Sequence, residues 1–145
     1  MSAAMSKADP LNDYLQRVSF WVSGVAVPQG SKVIMRGRLL DSNVKVLKAW
    51  RARVADAAQG VAAGRTFAPE AEIALLADVY LPRPKTVVRR RPTVKPDGDK
   101  LLRGLCDAIT DSGMWRDDAQ VVSYDVDLWY ADDKPGVKLT VLELA

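Results

Sequence analysis

A chain of 145 residues with 48% hydrophobic side chains is long enough for one domain with a real core, since a protein of this size buries about 70% of the surface its unfolded form exposes. The complete absence of histidine and the presence of a single cysteine exclude imidazole acid–base catalysis, imidazole metal sites and thiolate zinc sites within one chain. The net charge of +3, with a pI near 9.1, is only mildly basic, so the placement of positive charge matters more than its sum.

The opening residues, MSAAMSKADPLNDYLQR, lack the apolar core of a secretory signal, and no apolar run approaches the roughly 20 residues needed to cross a bilayer. Together with the lone Cys106 this reads as a cytoplasmic protein: a flexible leader over residues 1–17, then one domain over 18–145. VSFWVSGVAV (18–27) is β-branched and aromatic and ends at Pro28, which predicts a strand. The following PQGSKVIMRGRLLDSN reads as a long loop whose Lys32, Arg36 and Arg38 are suited to touching phosphates. From about Asn43 to Gln59, Leu47, Trp50, Val54, Ala57 and Ala58 recur at helical spacing, with Ser42 or Asn43 as cap and Gly60 and Gly64 marking the end.

AEIALLADVYLPRP (71–84) alternates apolar residues and stops at two prolines, a second strand. Residues 83–96 then hold six cations in fourteen positions, among them Lys85, Arg89, Arg90, Arg91 and Lys95, and read as a flexible basic loop for phosphate contact. A helix is predicted from about Gly98 to Thr110 on the stripe Leu101, Leu105 and Ile109. A turn around Gly113 leads to VVSYDVDLWY (121–130), whose even positions Val122 to Tyr130 predict one buried face. DDKPG then turns the chain into a last strand, VKLTVLEL. The order β-α-β-α-β-β implies a single α/β (α+β-like) domain, a mixed sheet with helices packed on it.

The acidic residues KPDGD are the chemical puzzle, because they follow a basic stretch. Asp97 falls at an N-cap position and Asp99 in the first helical turn, where a carboxylate gains about 0.3–1 kcal/mol from the helix dipole. That structural reading stands beside a functional one. Asp97 and Asp99 straddle the loop–helix junction and can converge on one hard cation, with a third carboxylate arriving at Asp117 or Asp118 before the next strand. Asp118 reaches the start of the helix only if residues 112–117 run back along it or if a second subunit supplies the group. Three carboxylates around Mg²⁺ suit phosphodiester hydrolysis, with basic loops to hold the backbone. Arg103, one turn after Asp99, pairs with that carboxylate or stabilises charge on the phosphorus. Trp50 reads as core and Cys106 as an inert helix residue. Trp115 reads as packing, with base stacking or a dimer contact as the alternatives.

PDGDKLLRGLCDAITDSGMWRDDAQVV resembles the core signature of the RusA family of Holliday junction resolvases: Asp-x-Asp opening a helix, then Asp-Asp-x-Gln entering a strand some twenty residues on. VSGVAVPQGSK, AWRARVADAA and YLPRPK resemble other parts of that family, so the likeness spans about residues 18–144. It implies a homodimeric endodeoxyribonuclease, bacterial or phage-encoded, that needs Mg²⁺ (or Mn²⁺) and resolves four-way DNA junctions by paired symmetric nicks in recombination and repair. The resemblance places the essential aspartates, as metal ligands, at Asp97, Asp99 and Asp118. The family's lysine falls on Arg103, which keeps the charge but not the proton donor, with Lys100 as the rival for that role. Lys100 is also grouped with the DNA-contacting cations. Asp107 lies in the family pattern, and Asp117 is taken as a supporting residue. The competing expectation is a non-catalytic nucleic-acid-binding protein whose basic loops bind phosphates and whose aspartates cap helices.

Overall fold

The computed structural model describes residues 13–30, 32–35, 38–41 and 44–145, with 32–35 and 38–41 described by their backbone alone. Strand β1 runs Tyr14–Ser23, β2 Lys32–Met35, β3 Arg38–Asp41, β4 Ile73–Leu81, β5 Val121–Tyr130 and β6 Gly136–Leu144; helix α1 spans Val44–Ala62 and α2 Gly98–Ser112. Four strands form one mixed sheet in the order β1-β6-β4-β5, antiparallel except for the β4–β5 pair. The main-sheet order β-α-β-α-β-β and the α+β character agree with expectation.

The core forms where the apolar stripes of both helices meet one face of the sheet. Leu47, Trp50, Val54 and Ala58 of α1 and Leu101, Leu105 and Ile109 of α2 are buried in one cluster with Val22, Leu75, Val79, Leu139 and Val141. Leu105 is fully enclosed, so truncating it to alanine would cost about 2–5 kcal/mol through lost burial and the cavity left behind. An Arg51–Asp111 ion pair of 2.6 Å ties the two helices at their solvent side.

Several expectations are corrected. The first strand runs Tyr14–Ser23, four residues earlier at both ends than the expected 18–27; its opening residues are exposed, so no alternation marks them. The predicted long loop after Pro28 contains an antiparallel hairpin, β2 paired with β3 from Lys32↔Asp41 to Met35↔Arg38. Arg36, Ser42 and Asn43, assigned to phosphate contact and to the α1 cap, lie outside the described residues. Helix α1 passes through Gly60 and stops only at Ala62, before the left-handed Ala63 and Gly64. The face of β5 expected to be buried is open at its start, with Val122 57% and Tyr124 49% exposed. The reason is position: β5 is an edge strand, and the helices cover the sheet's middle.

Candidate nuclease site

The parallel β4–β5 pair requires a crossover, and α2 supplies it, returning from the end of β4 to the start of β5. This topology sets the ends of α2. Its N-terminus, with Asp97 and Asp99, lies at the C-terminal edge of the pair, and Gly98 packs against Leu128 near the end of β5. That edge is where open α/β sheets generally bind ligands.

Asp97 has the extended backbone of an N-cap, and its carbonyl accepts from Leu101 N at 3.1 Å. Its carboxylate makes no capping hydrogen bond. Both Asp97 and Asp99 are exposed, and among the described residues neither enters an ion pair. Two uncapped carboxylates beside a helix N-terminus suit Mg²⁺, which is held by one or two carboxylates together with phosphate oxygens of its substrate.

The turn after β1 is fastened to α2 one helical turn further on. Gln29 N donates to Lys100 O at 3.0 Å, and Gln29 Nε2 donates to Asp107 Oδ2. The helix comes close to the turn at Gly104, where a Cβ would touch Val27 O at 3.4 Å, an ordinary contact, and a longer side chain would meet Gln29 and Leu47. Arg103 lies against Gly30, whose φ of 101° is a backbone few side chains tolerate; a Cβ on Gly30 would meet its guanidinium at 2.9 Å. Arg103 is exposed, and among the described residues it pairs with neither Asp99 nor Asp107. Gln29 was missed from sequence; its place in a Pro-Gln-Gly turn was the available signal.

The basic stretch is laid across the end of β5 rather than free. Tyr130 N donates to Arg90 O at 2.9 Å, Arg89 Nη2 donates to the Tyr130 hydroxyl at 3.2 Å, and Arg91 pairs with Asp127 at 3.2 Å. Arg83 and Arg89 lie over the Tyr130 ring, and Arg90 and Arg91 over that of Trp129. The cations therefore hold fixed positions with part of each head exposed. Lys85 and Lys95 are exposed and Lys100 is half-buried.

Asp118 lies elsewhere. Residues 113–117 do fold back along α2, with Trp115 fully buried and its Nε1 donating to Thr110 Oγ1 at 2.7 Å, so this indole is core and has no free face for a base. The fold-back stops midway. Asp118 opens a 3-10 turn, Asp118–Gln120, whose neighbours are Cys106 and Asp107. Burial first, then the Asp117 side chain and the charge of Asp107, push the Asp118 carboxyl above its usual range. Cys106 follows Asp97 by nine positions, about 13 Å along the helix axis. Accordingly, among the described residues no three acidic or thiol groups gather closely enough to hold a metal ion. Asp117 is a true cap: its side chain accepts from Ala119 N at 2.9 Å, while Gln120 Oε1 accepts from Asp117 N at 3.1 Å. Cys106 is buried and its thiol is pushed up to about 12 by desolvation, then by Asp118 and Asp107.

Residues 28–142, most of the chain, match the family model described as endodeoxyribonuclease RusA. A Bacillus subtilis (strain 168) protein, described as uncharacterized protein YqaN, is 33% identical over 79 residues, covering 46% of this chain and 54% of its own. The chain thus spans about half the length of that curated relative. No helix among the described residues is long and apolar enough to cross a membrane.

Proposed function

This chain belongs to the RusA endodeoxyribonuclease family, and from that premise we propose that it is a Mg²⁺-dependent, structure-selective nuclease of four-way DNA junctions, working as a cytoplasmic homodimer in recombination and repair. The observation that carries the reading is the exposed, uncapped Asp97 and Asp99 at the start of α2, set between positioned cations. When bound there, Mg²⁺ (or Mn²⁺) would polarise the scissile phosphate and lower the pKa of a water.

The protein's own residues do the rest. Asp97 and Asp99 orient the phosphodiester by fixing where positive charge sits. Arg103 faces that phosphate and opposes the charge that grows on its oxygens, a role arginine performs without giving up a proton. Arg89, Arg90, Arg91, Lys95 and Lys100, with Lys85 and the hairpin cations Lys32, Arg36 and Arg38, hold the backbones of the arms. Asp118 completes the acidic set from a second subunit, since the crossover sends the two ends of α2 apart within one chain. A twofold dimer then offers two equivalent sites to two strands related by the same axis, and paired symmetric nicks follow.

The rival reading, a DNA-binding protein whose aspartates are only caps, is weakened by the missing cap bond at Asp97. Incubation with an end-labelled four-way junction decides between them. Symmetric nicks that need Mg²⁺ and stop on chelation are expected. A junction that is bound yet stays intact in Mg²⁺ and Mn²⁺ alike would overturn the nuclease.

A further inference from the structure

An apolar cleft of about 550 Å³ opens directly beside Asp97. Its walls include Pro28, Pro84, Pro92, Pro96 and Val94, with the largely buried Tyr130 at its back. Prolines present rigid apolar surface with no N–H donor, so this slot offers little to a strongly polar guest. Its edge is different: Lys95 and Lys100 line it. An apolar slot rimmed with cations and ending at a carboxylate matches one chemistry, a flat uncharged body joined to an anionic backbone. The volume also falls in the range of small-ligand sites, about 300–1,000 Å³.

We propose that this cleft receives one unstacked nucleobase of the strand whose phosphodiester lies at Asp97 and Asp99. The inference rests on the nuclease reading above and names a subsite of it. Holding a base out of the stack costs least where pairing is already broken, so the cleft favours branch points over continuous duplex. The inserted base also fixes which phosphate reaches the aspartates. The proline and valine walls supply the apolar contact for the base, and Lys95 and Lys100 meet the phosphates on either side.

The test pairs a change in the cleft with a change in the DNA. Val94 is 61% exposed, so Val94→Trp fills the cleft without entering the core, and a melting curve checks its folding. Junctions lacking the base at each nucleotide flanking the mapped nick are cut by the native protein and by the variant. The native protein is expected to cut one of these abasic junctions about tenfold more slowly, the scale of one lost base contact. Val94→Trp is expected to cut the intact junction about tenfold more slowly and to lose nothing further on that abasic one. Unchanged native cutting at every abasic position overturns the proposal, as do two losses that multiply to about a hundredfold. A Val94→Trp protein that dissociates to monomers without DNA also overturns it, marking the cleft as a protein interface. Failure to cut any branched DNA in Mg²⁺ would strike the nuclease reading instead. Binding of intact and abasic junctions in Ca²⁺ would then still read the cleft.

Discussion

Asp97 and Asp117 occupy the same formal position, an extended residue just before a helical turn, yet the structure uses them oppositely. Asp117 is bonded into a reciprocal capping box, whereas the Asp97 carboxylate is left out of its helix. From sequence both looked alike, because whether a cap forms depends on a few tenths of an ångström of backbone that local residue preferences do not specify. Asp117→Ala is therefore expected to cost about 1 kcal/mol in urea unfolding. Asp97→Asn is expected to unfold within about 0.5 kcal/mol of the native protein while abolishing junction cutting and retaining or strengthening junction binding. Native-rate cutting by Asp97→Asn removes that residue from the chemistry. Cys106 yields a separate prediction. Its folded pKa of about 12 lies above the ordinary thiol value of 9.0, so between those values the unfolded chain releases a proton that the folded chain keeps. Stability from this group is complete below pH 9 and falls as pH rises toward 12, by at most ~1.4 kcal/mol per pH unit. Melting temperature should accordingly drop more steeply from pH 9 to 11 in the native protein than in Cys106→Ala.

At the scale of elements, legibility followed burial. Segments with a full apolar stripe, α1, β4, α2 and β6, were read to within a few residues because the core imposes their period. The edge strands were read unevenly: β5 has its expected span, 121–130, while β1 lies four residues earlier than expected. The start of β1 is exposed and shows no alternation, whereas β5 alternates in sequence yet turns Val122 and Tyr124 to solvent at the edge of the sheet. The β2–β3 hairpin looked like a loop because its lysine, arginines and glycines carry loop composition, while pairing between backbones leaves no mark on side-chain choice. The basic stretch looked mobile for a similar reason: its anchors, Tyr130 and Trp129, lie 30 to 50 residues away in the chain. Gly104 tests how tightly α2 meets the turn after β1. A single added methyl group would touch Val27 O at ordinary contact distance, while helix propensity improves by about 1 kcal/mol. Gly104→Ala should unfold at equal or slightly higher urea. Gly104→Leu should lose about 1–3 kcal/mol, because the longer side chain must displace Gln29 and Leu47.

For the whole molecule, the separation of the acidic residues follows from topology. A helix that connects two parallel strands must carry its first residue to one end of the pair and its last to the other, and α2 is fifteen residues, roughly 22 Å, long. Asp97 and Asp99 sit at its start, and Asp118 lies beyond its end, folded back only as far as Cys106. The aspartate pattern was legible in the sequence as a set of candidates; the path between them was not, because the direction of a crossover is a property of the sheet. If both ends serve one site, two chains must meet, and that geometry can be tested by mixing. Asp97→Asn and Asp118→Asn proteins, each inactive alone, would exchange into heterodimers in which one shared site carries both substitutions and the other carries neither. The mixture should regain cutting on one strand of the junction and yield nicked, unresolved junctions. Separately inactive proteins that stay inactive after exchange, shown by co-elution of differently tagged subunits, would place all three aspartates in one chain's site. That outcome would require the turn at Asp118 to move about 10 Å along α2 when DNA binds, a shift visible as loss of the buried Trp115 fluorescence environment.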